Sequence, residues 1–307
     1  MAVPRLSNQM MARNTLADLN RASNDLYRTQ RKMSSGKEIT KPSDDPFGTT
    51  RAVTARRELE ETQQLKKNVD DALSWQGVTE VALARITDVV QRSRELLVRG
   101  ASDSYSPEQR EAIAKEIDQL IETAKTEANG NYGGRYIFSG TDTGDKPYNI
   151  GGTDAYNGDA GNIVRTIGPG VSIAVNVKGS EFLGGDPLVA QPDGLLLSTL
   201  RTVATNLRAN TPAAANALRS TDLQAMDRNL DNLTAIRATV GATTNRLETA
   251  ATRLLELEET STEALNQIEG ADMAKTLTDF SLQQAVYQSA LKTGANIVQN
   301  SLLDFLR

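Results

Sequence analysis

The chain of 307 residues contains neither cysteine nor histidine. Their absence removes disulfides, thiolate nucleophiles, imidazole general bases and the usual transition-metal ligands together. Carboxylate, lysine and tyrosine chemistry is not excluded. A chain without thiols is indifferent to redox compartment, so this absence fits an extracellular life without requiring one. Aromatic residues are also sparse, at 4% with a single tryptophan, and hydrophobic residues reach 38%. That is thin material for one compact core of this length and suits extended helical layers better. No window approaches the apolar length of a membrane span. The opening Met1 to Met11 (MAVPRLSNQMM) lacks the apolar core and small-residue cleavage site of a secretory signal. Charge of one dominant sign is missing as well: 34 basic and 39 acidic residues are interspersed, for a formal net charge of −5. No large basic face is available to hold a phosphate backbone, which argues against nucleic acid as a partner.

What the chain does have is a pair of matching stripes at its ends. At the C-terminal end Met273, Leu277, Phe280, Gln284, Tyr287, Leu291, Gly294, Val298, Ser301 and Phe305 recur at alternating spacings of four and three. At the N-terminal end Ala12, Leu16, Leu19, Ser23, Leu26, Gln30 and Met33 do the same. A period of 3.5 keeps one face of a helix against a partner, so the two terminal helices are expected to pack together and bring the chain ends to one pole. Small and polar residues dilute both seams. Such a pair should be marginal alone and should order only when further helices cover it.

Between the ends the order is helical, then glycine-rich, then helical. Residues 34–48 (SSGKEITKPSDDPFG) read as a turn or extended connector around Pro42, Asp44, Asp45 and Pro46. Pro46 suits a first helical position with an aspartate as N-cap, so a second helix is expected from about residue 46 to Gly100. Its Val69, Ala72, Leu83, Ile86, Val90, Ser93 and Leu97 share one seven-residue register. Ser106, Pro107 and Gln109 form a capping-box start for a third helix, with Ile113, Ile117, Leu120, Ile121 and Ala124 on one face. Residues 130–194 hold fifteen of the 22 glycines and six of the 12 Tyr and Phe residues. This composition reads as a β-rich insertion, with strands expected at Arg135 to Phe138, Ile163 to Ile167 and Val171 to Val177. Helix resumes over Leu195 to Leu207 and, after a break at Asn210 to Pro212, runs from about Ala213 to Ile268. The expected fold is therefore mainly α with an inserted β-rich domain: a long antiparallel helical or coiled-coil rod with both termini at one end.

No catalytic, cofactor or metal site emerges. Adjacent acidic pairs such as Glu60 and Glu61, or Glu258 and Glu259, point apart on a helix and read as solvated faces. No glycine-rich phosphate loop follows a strand and opens a helix. A heptad stripe alone is most often a plain helical seam and would fit any coiled-coil protein.

Three strings narrow the choice. Met33 to Gly48 (MSSGKEITKPSDDPFG), Tyr136 to Thr141 (YIFSGT) and the tail ending in Ser301 to Leu306 (SLLDFL) closely resemble the hook-filament junction, or third hook-associated protein, branch of the flagellin-like family. The resemblance covers both termini and the edge of the insertion. Gln91, Arg92, Arg94, Glu95 and Leu96 are similar to the QRxREL segment of flagellins, which there packs between subunits and is seen by an innate immune receptor. The resemblance implies a non-enzymatic structural protein, without cofactor, exported unfolded by the flagellar type III route without a cleaved signal peptide. It implies assembly as a homo-oligomeric ring on the extracellular flagellum, between the other junction protein on the hook side and flagellin on the filament side. An export chaperone would hold the C-terminal helix, and no membrane insertion is implied. An inner domain of residues 1–45 plus 270–307, disordered in the monomer, is expected beneath a rod domain of 46–129 plus 195–269 and an outer domain of 130–194. Subunit packing is assigned to Leu16, Leu19, Leu26, Met33, Met273, Leu277, Phe280, Tyr287, Leu291, Val298 and Phe305. A short flagellin that builds the filament itself, or an unrelated coiled-coil scaffold or enzyme, remain the alternatives.

Overall fold

A computed structural model describes residues 8–185 and 194–305 of the chain. It is mainly helical: α1 (Asn8–Ser35), α2 (Pro46–Gly100) and α3 (Pro107–Ala128) precede two small β-hairpins, and α4 (Leu196–Ala209), α5 (Pro212–Ala217), α6 (Leu223–Glu269) and α7 (Met273–Phe305) follow. The chain divides into two compact units, Gln63–Glu256 and Met1–Thr62 with Leu257–Arg307.

Local chemistry explains the helix boundaries. Pro46 opens α2, and Asp45 Oδ1 accepts from the Phe47 and Gly48 amides at 3.1 and 2.9 Å, satisfying first-turn donors. Ser106 opens α3 with a complete capping box: its Oγ accepts from the Gln109 amide while Gln109 Oε1 accepts from the Ser106 amide at 2.9 Å. Asn210 ends α4 in the left-handed conformation, φ 47°, and the Thr211 hydroxyl caps α5. The helix expected to run unbroken from Ala213 is instead interrupted by a π-helical turn at Leu218–Asp222. The buried positions of this stretch show why. Met226, Leu233, Val240, Leu247 and Leu254 step by seven, whereas Leu218 precedes Met226 by eight, and the wider π turn absorbs the extra residue.

In the unit Gln63–Glu256 the seven-residue register of α2 is fully realised. Val69, Ala72, Leu83, Ile86, Val90, Ser93 and Leu97 all have no exposed surface. One hydrophobic cluster joins Leu83, Ile86, Val90 and Leu97 of this face to Ile113, Ile117 and Ile121 of α3, Leu197, Leu200 and Val203 of α4, and Met226 and Leu233 of α6. The glycine-rich segment completes the same cluster through Ile137, Phe138, Tyr148, Tyr156, Phe182 and Leu183. The Tyr148 and Tyr156 hydroxyls donate to the Gly184 and Phe138 carbonyls at 2.7 and 2.8 Å, so their burial leaves no donor stranded.

Strands are shorter than the alternating pattern suggests. β1 (Asn131–Tyr132) pairs antiparallel with β2 (Arg135–Tyr136) across Gly133 and Gly134, both at positive φ, which a two-residue hairpin of this twist requires. β3 (Val164–Gly168) pairs antiparallel with β4 (Val171–Ala174), with a bulge between Thr166 and Gly168. Ile167, Ile173 and Val175 turn inward onto Leu65, Val69, Leu247 and Leu254 in a second cluster.

Threonine is a recurring helix-surface residue. Thr234, Thr239, Thr243, Thr244, Thr249 and Thr252 of α6 each donate Oγ1 to the carbonyl four residues earlier, at 2.8 to 3.1 Å. Thr278, Ser281 and Thr293 of α7 do the same at 2.9 to 3.0 Å.

Candidate functional site: the faces of the terminal helices

α1 and α7 pack against each other within the terminal unit. A Cβ added to Gly294 would lie 3.3 Å from Thr15 Cγ2, which sets the C-terminal half of α7 beside the start of α1 and makes the pair antiparallel. Along α1 the side chains withdrawn from solvent include Thr15, Leu19, Ala22, Leu26, Thr29 and Met33. Along α7 they are Thr276, Phe280, Gln283, Tyr287, Ala290 and Gly294. Both stripes keep the four-three spacing of a coiled-coil seam.

This corrects the seam expected from sequence. Leu19, Leu26, Met33, Phe280, Tyr287 and Gly294 belong to it, but every alternate position is displaced by one residue. Leu16, Leu277 and Leu291 were expected in the seam and are instead 60%, 57% and 44% exposed, and Met273 is 48% exposed. The physical reason is the size of what replaces them. Thr15, Ala22 and Thr29 on α1, with Ala290 and Gly294 on α7, let the two backbones approach, and the bulkier leucines fall on an adjoining ridge roughly a quarter-turn away. The side chains of Ala12, Val298, Ser301 and Phe305 lie outside the described residues.

Apolar surface is thus left on more than one face of these helices. Besides the leucine ridge, Leu282 and Val286 of α7 are 59% and 45% exposed on a third face, and Met10 and Tyr27 of α1 are exposed as well. These bare apolar side chains share the surface with exposed polar ones such as Lys275, Asp279 and Gln284.

The connector between α1 and α2 is built rather than loose. Gly36 leaves α1 at φ 67°. The Asp44 amide donates to the Lys41 carbonyl at 2.9 Å, closing a turn with Pro42 at its second position. Asp44 Oδ2 accepts from the Thr40 hydroxyl and the Lys41 amide, both at 2.9 Å, and these bonds, the Thr40 hydroxyl foremost, hold its carboxyl below the usual range. A side chain at Gly48 would strike the Asp45 carboxylate and, at 2.6 Å, Ile39 Cδ1. Pro42, Asp44, Asp45 and Pro46 themselves are exposed.

A buried carboxylate ties this connector to the turn between α6 and α7. Glu269 is 4% exposed and pairs with Lys37 Nζ at 2.9 Å and with Arg56. The Glu38 amide donates to the Glu269 carbonyl at 2.7 Å and the Ala271 amide to the Gly36 carbonyl at 3.0 Å. Burial pushes the Glu269 carboxyl up, but the bonds from Arg56 and Lys37 and their charges outweigh it and hold the group below the ordinary glutamate range. Sequence reasoning did not single out Glu269, Lys37 or Arg56. The signal available was Gly270 followed by Asp272, a helix stop and an N-cap; Asp272 Oδ1 accepts from the Ala274 and Lys275 amides at 3.0 and 3.1 Å.

The segment similar to QRxREL lies on α2. Leu96 is buried, Arg94 Nε meets Asp227 Oδ1 at 2.7 Å, and Arg92 bonds Glu116 at 2.6 Å and Glu95 at 3.2 Å, while Gln91 and Glu95 face solvent. Glu60, Glu61 and Glu259 are exposed. Among the described residues no cluster of acidic groups is arranged to hold a metal ion, and no helix is long and apolar enough to cross a membrane.

Residues 6–143 match the bacterial flagellin N-terminal helical region and residues 223–306 the bacterial flagellin C-terminal helical region. The chain belongs to the bacterial flagellin family. It is 26% identical to flagellar hook-associated protein 3 of Escherichia coli K12, over 94% of this chain and 95% of that one. It is also 28% identical to flagellin of Bacillus subtilis, over 99% of this chain and 100% of that one. The fold is shared with flagellar hook-associated protein 3 from Legionella pneumophila, at a TM-score of 0.60 and 17% identity, covering 70% of this chain and 98% of that structure. FlgL of Xanthomonas campestris gives 0.59 at 20% identity, covering 69% and 99%. This flagellin-family chain is therefore a structural protein of the bacterial flagellum, similar to the hook-associated branch, and not an enzyme.

Proposed function

We propose that this chain is the subunit that joins the flagellar hook to the filament, assembling as a ring through its terminal helices. The observation that carries this reading is the double character of α1 and α7. Their mutual seam alternates larger side chains such as Leu19, Leu26, Phe280 and Tyr287 with small ones, while Leu16, Met273, Leu277 and Leu291 stay exposed beside it. Neighbouring copies would supply the missing surface, so that ordering of residues 1–45 and 270–307 is coupled to assembly. Leu19, Leu26, Met33, Phe280 and Tyr287 would hold the pair together, and Val298 and Phe305 would extend the packing towards the chain end. Residues 46–129 with 195–269 would make up a helical rod domain and residues 130–194 a β-rich outer domain.

In this reading the chain leaves the cell through the flagellar type III channel without a cleaved signal peptide, its C-terminal helix held by an export chaperone. Its neighbours are the other junction protein on the hook side and flagellin on the filament side. The test is a Leu277→Ser/Leu291→Ser chain in a strain lacking the native gene. The expected result is normal export with filaments detached and the chain shed into the medium; firmly attached filaments would overturn the proposal.

The full-length likeness to flagellin favours one second reading, a short flagellin that forms the filament itself. Copy number separates the two. A junction protein is present as one short ring per flagellum and the purified chain stays soluble, whereas a flagellin polymerises alone into long filaments.

A further inference from the structure

Arg110 sits one turn into α3 and is 8% exposed. Its Nη1 donates to Asn210 Oδ1 at 2.8 Å and its Nη2 to the Ser102 carbonyl at 3.0 Å. Both acceptors are neutral. Nε has no hydrogen-bond partner, and among the described residues Arg110 makes no ion pair. Elsewhere in the same unit a buried cation is compensated: Lys125, with no exposed surface, meets Asp154 at 2.6 Å and Glu122 at 3.3 Å. A buried guanidinium with neither a counter-charge nor a full set of acceptors is costly, so something outside the described chain should complete it.

The space for it is present. Arg110 lines a cavity of about 300 Å³ with Asp103, Asn210, Thr211, Asn216 and Arg219. Arg219 also reaches this cavity, held by its Nε bond to the Ala101 carbonyl at 2.8 Å and by an ion pair with Asp103. Two guanidiniums against one carboxylate leave the walls with one net positive charge. The volume suits a small anion or one acidic side chain rather than an extended ligand.

We infer that this cavity between the α2–α3 turn and the start of α5 is an oxyanion site, in which the Arg110 and Arg219 guanidiniums bind a carboxylate or phosphate-class group. The inference does not rest on the junction reading. The anion is either free in solution or the acidic side chain of a second copy of this chain, and one set of measurements separates these sources.

The full-length chain is melted in increasing inorganic phosphate against potassium chloride of equal ionic strength, and its sedimentation is followed at high protein concentration. Phosphate at ten times its dissociation constant should raise the folding equilibrium constant about elevenfold. Arg110→Gln should abolish that response, and Ala215→Glu, which brings a carboxylate to the cavity wall, should raise the melting temperature without phosphate and cancel the response to it. If Arg110→Gln fails to fold, Arg219→Gln and Ala215→Glu carry the test. A phosphate response without change in sedimentation identifies a free anion. Phosphate that dissolves a concentration-dependent association, also weakened by Arg110→Gln, identifies the side chain of a second copy. No phosphate response in the wild type, together with unchanged association in the variants, would overturn the inference and leave a water-filled cavity.

Discussion

The two compact units carry the same kind of helix and very different cores. Residues 63–256 bury Trp75, Leu83, Ile86, Leu97, Ile117, Ile121 and Phe138 almost completely. In the terminal unit the buried apolar side chains, among the described residues, are Ala22 and Ala52, accompanied by Thr62, Glu269 and Thr276. Burying a large aliphatic side chain contributes about 1.5–3 kcal/mol and an alanine methyl much less, so the first unit is expected to hold its fold alone and the second to need added surface. Helical periodicity is equally clear in both. What differs is how much volume the periodic positions withdraw from water, and that quantity rather than helix content decides which part of the chain stands alone.

Hydrogen exchange on the monomer should show the contrast at its largest. Core amides of α2 and α3 within residues 63–256 should open only by global unfolding, about 5 kcal/mol or more, and those of α1 and α7 at close to zero. Protection of the terminal helices equal to that of α3 would erase the distinction. Point substitutions should divide the same way. Ile117→Ala, at a site with no exposed surface, should lower monomer stability by about 2–5 kcal/mol. Leu277→Ala should change it by no more than about 0.5 kcal/mol, as read from urea midpoints.

Trp75, the single tryptophan, is 2% exposed and belongs to the larger core, so its fluorescence reports that unit alone. Phe280→Ser should reduce far-ultraviolet helical signal at moderate temperature while leaving the Trp75 unfolding transition in place; a matching shift in both signals would mean the units fold together. The smallest effect expected is at the connector. Because the Glu269 carboxyl is depressed below its ordinary 4.5, its contribution is present above that pH and is lost as pH falls through the lower folded value. Glu269→Gln should speed exchange at Glu38 and Ala271 by about 1 kcal/mol at neutral pH, given half-exposed partners, and the difference from wild type should vanish in acid.

Much of this was legible in the residues. Pro46 after Asp45, and Ser106 with Gln109, marked the two helix starts because capping is a local chemistry that no distant contact overrides. The α2 register was legible because Leu83, Ile86, Val90 and Leu97 are large and its partners are large too. The terminal seam was read a quarter-turn away from its true position for the same reason turned around. Reasoning from size selected Leu16, Leu277 and Leu291, whereas the facing helix selects Thr15, Ala22 and Ala290, and a single strand of sequence does not reveal which of two adjoining stripes meets its own chain. The eight-residue step from Leu218 to Met226 that the π turn absorbs was there to be read, but the partners Asn210 of Arg110, Asp154 of Lys125 and Lys37 and Arg56 of Glu269 come from distant parts of the chain and leave no local trace.

The threonines along α6 and α7 bear on what it costs to cover these helices. A hydroxyl normally surrenders bonds to water when a second surface closes over it, and that loss weakens polar interfaces. Here Thr239, Thr243, Thr249, Thr278 and Thr293 already spend their protons on their own backbone. Such a surface is water-compatible when bare and nearly dry when covered, so a neighbour that closes over it displaces solvent without stranding a donor.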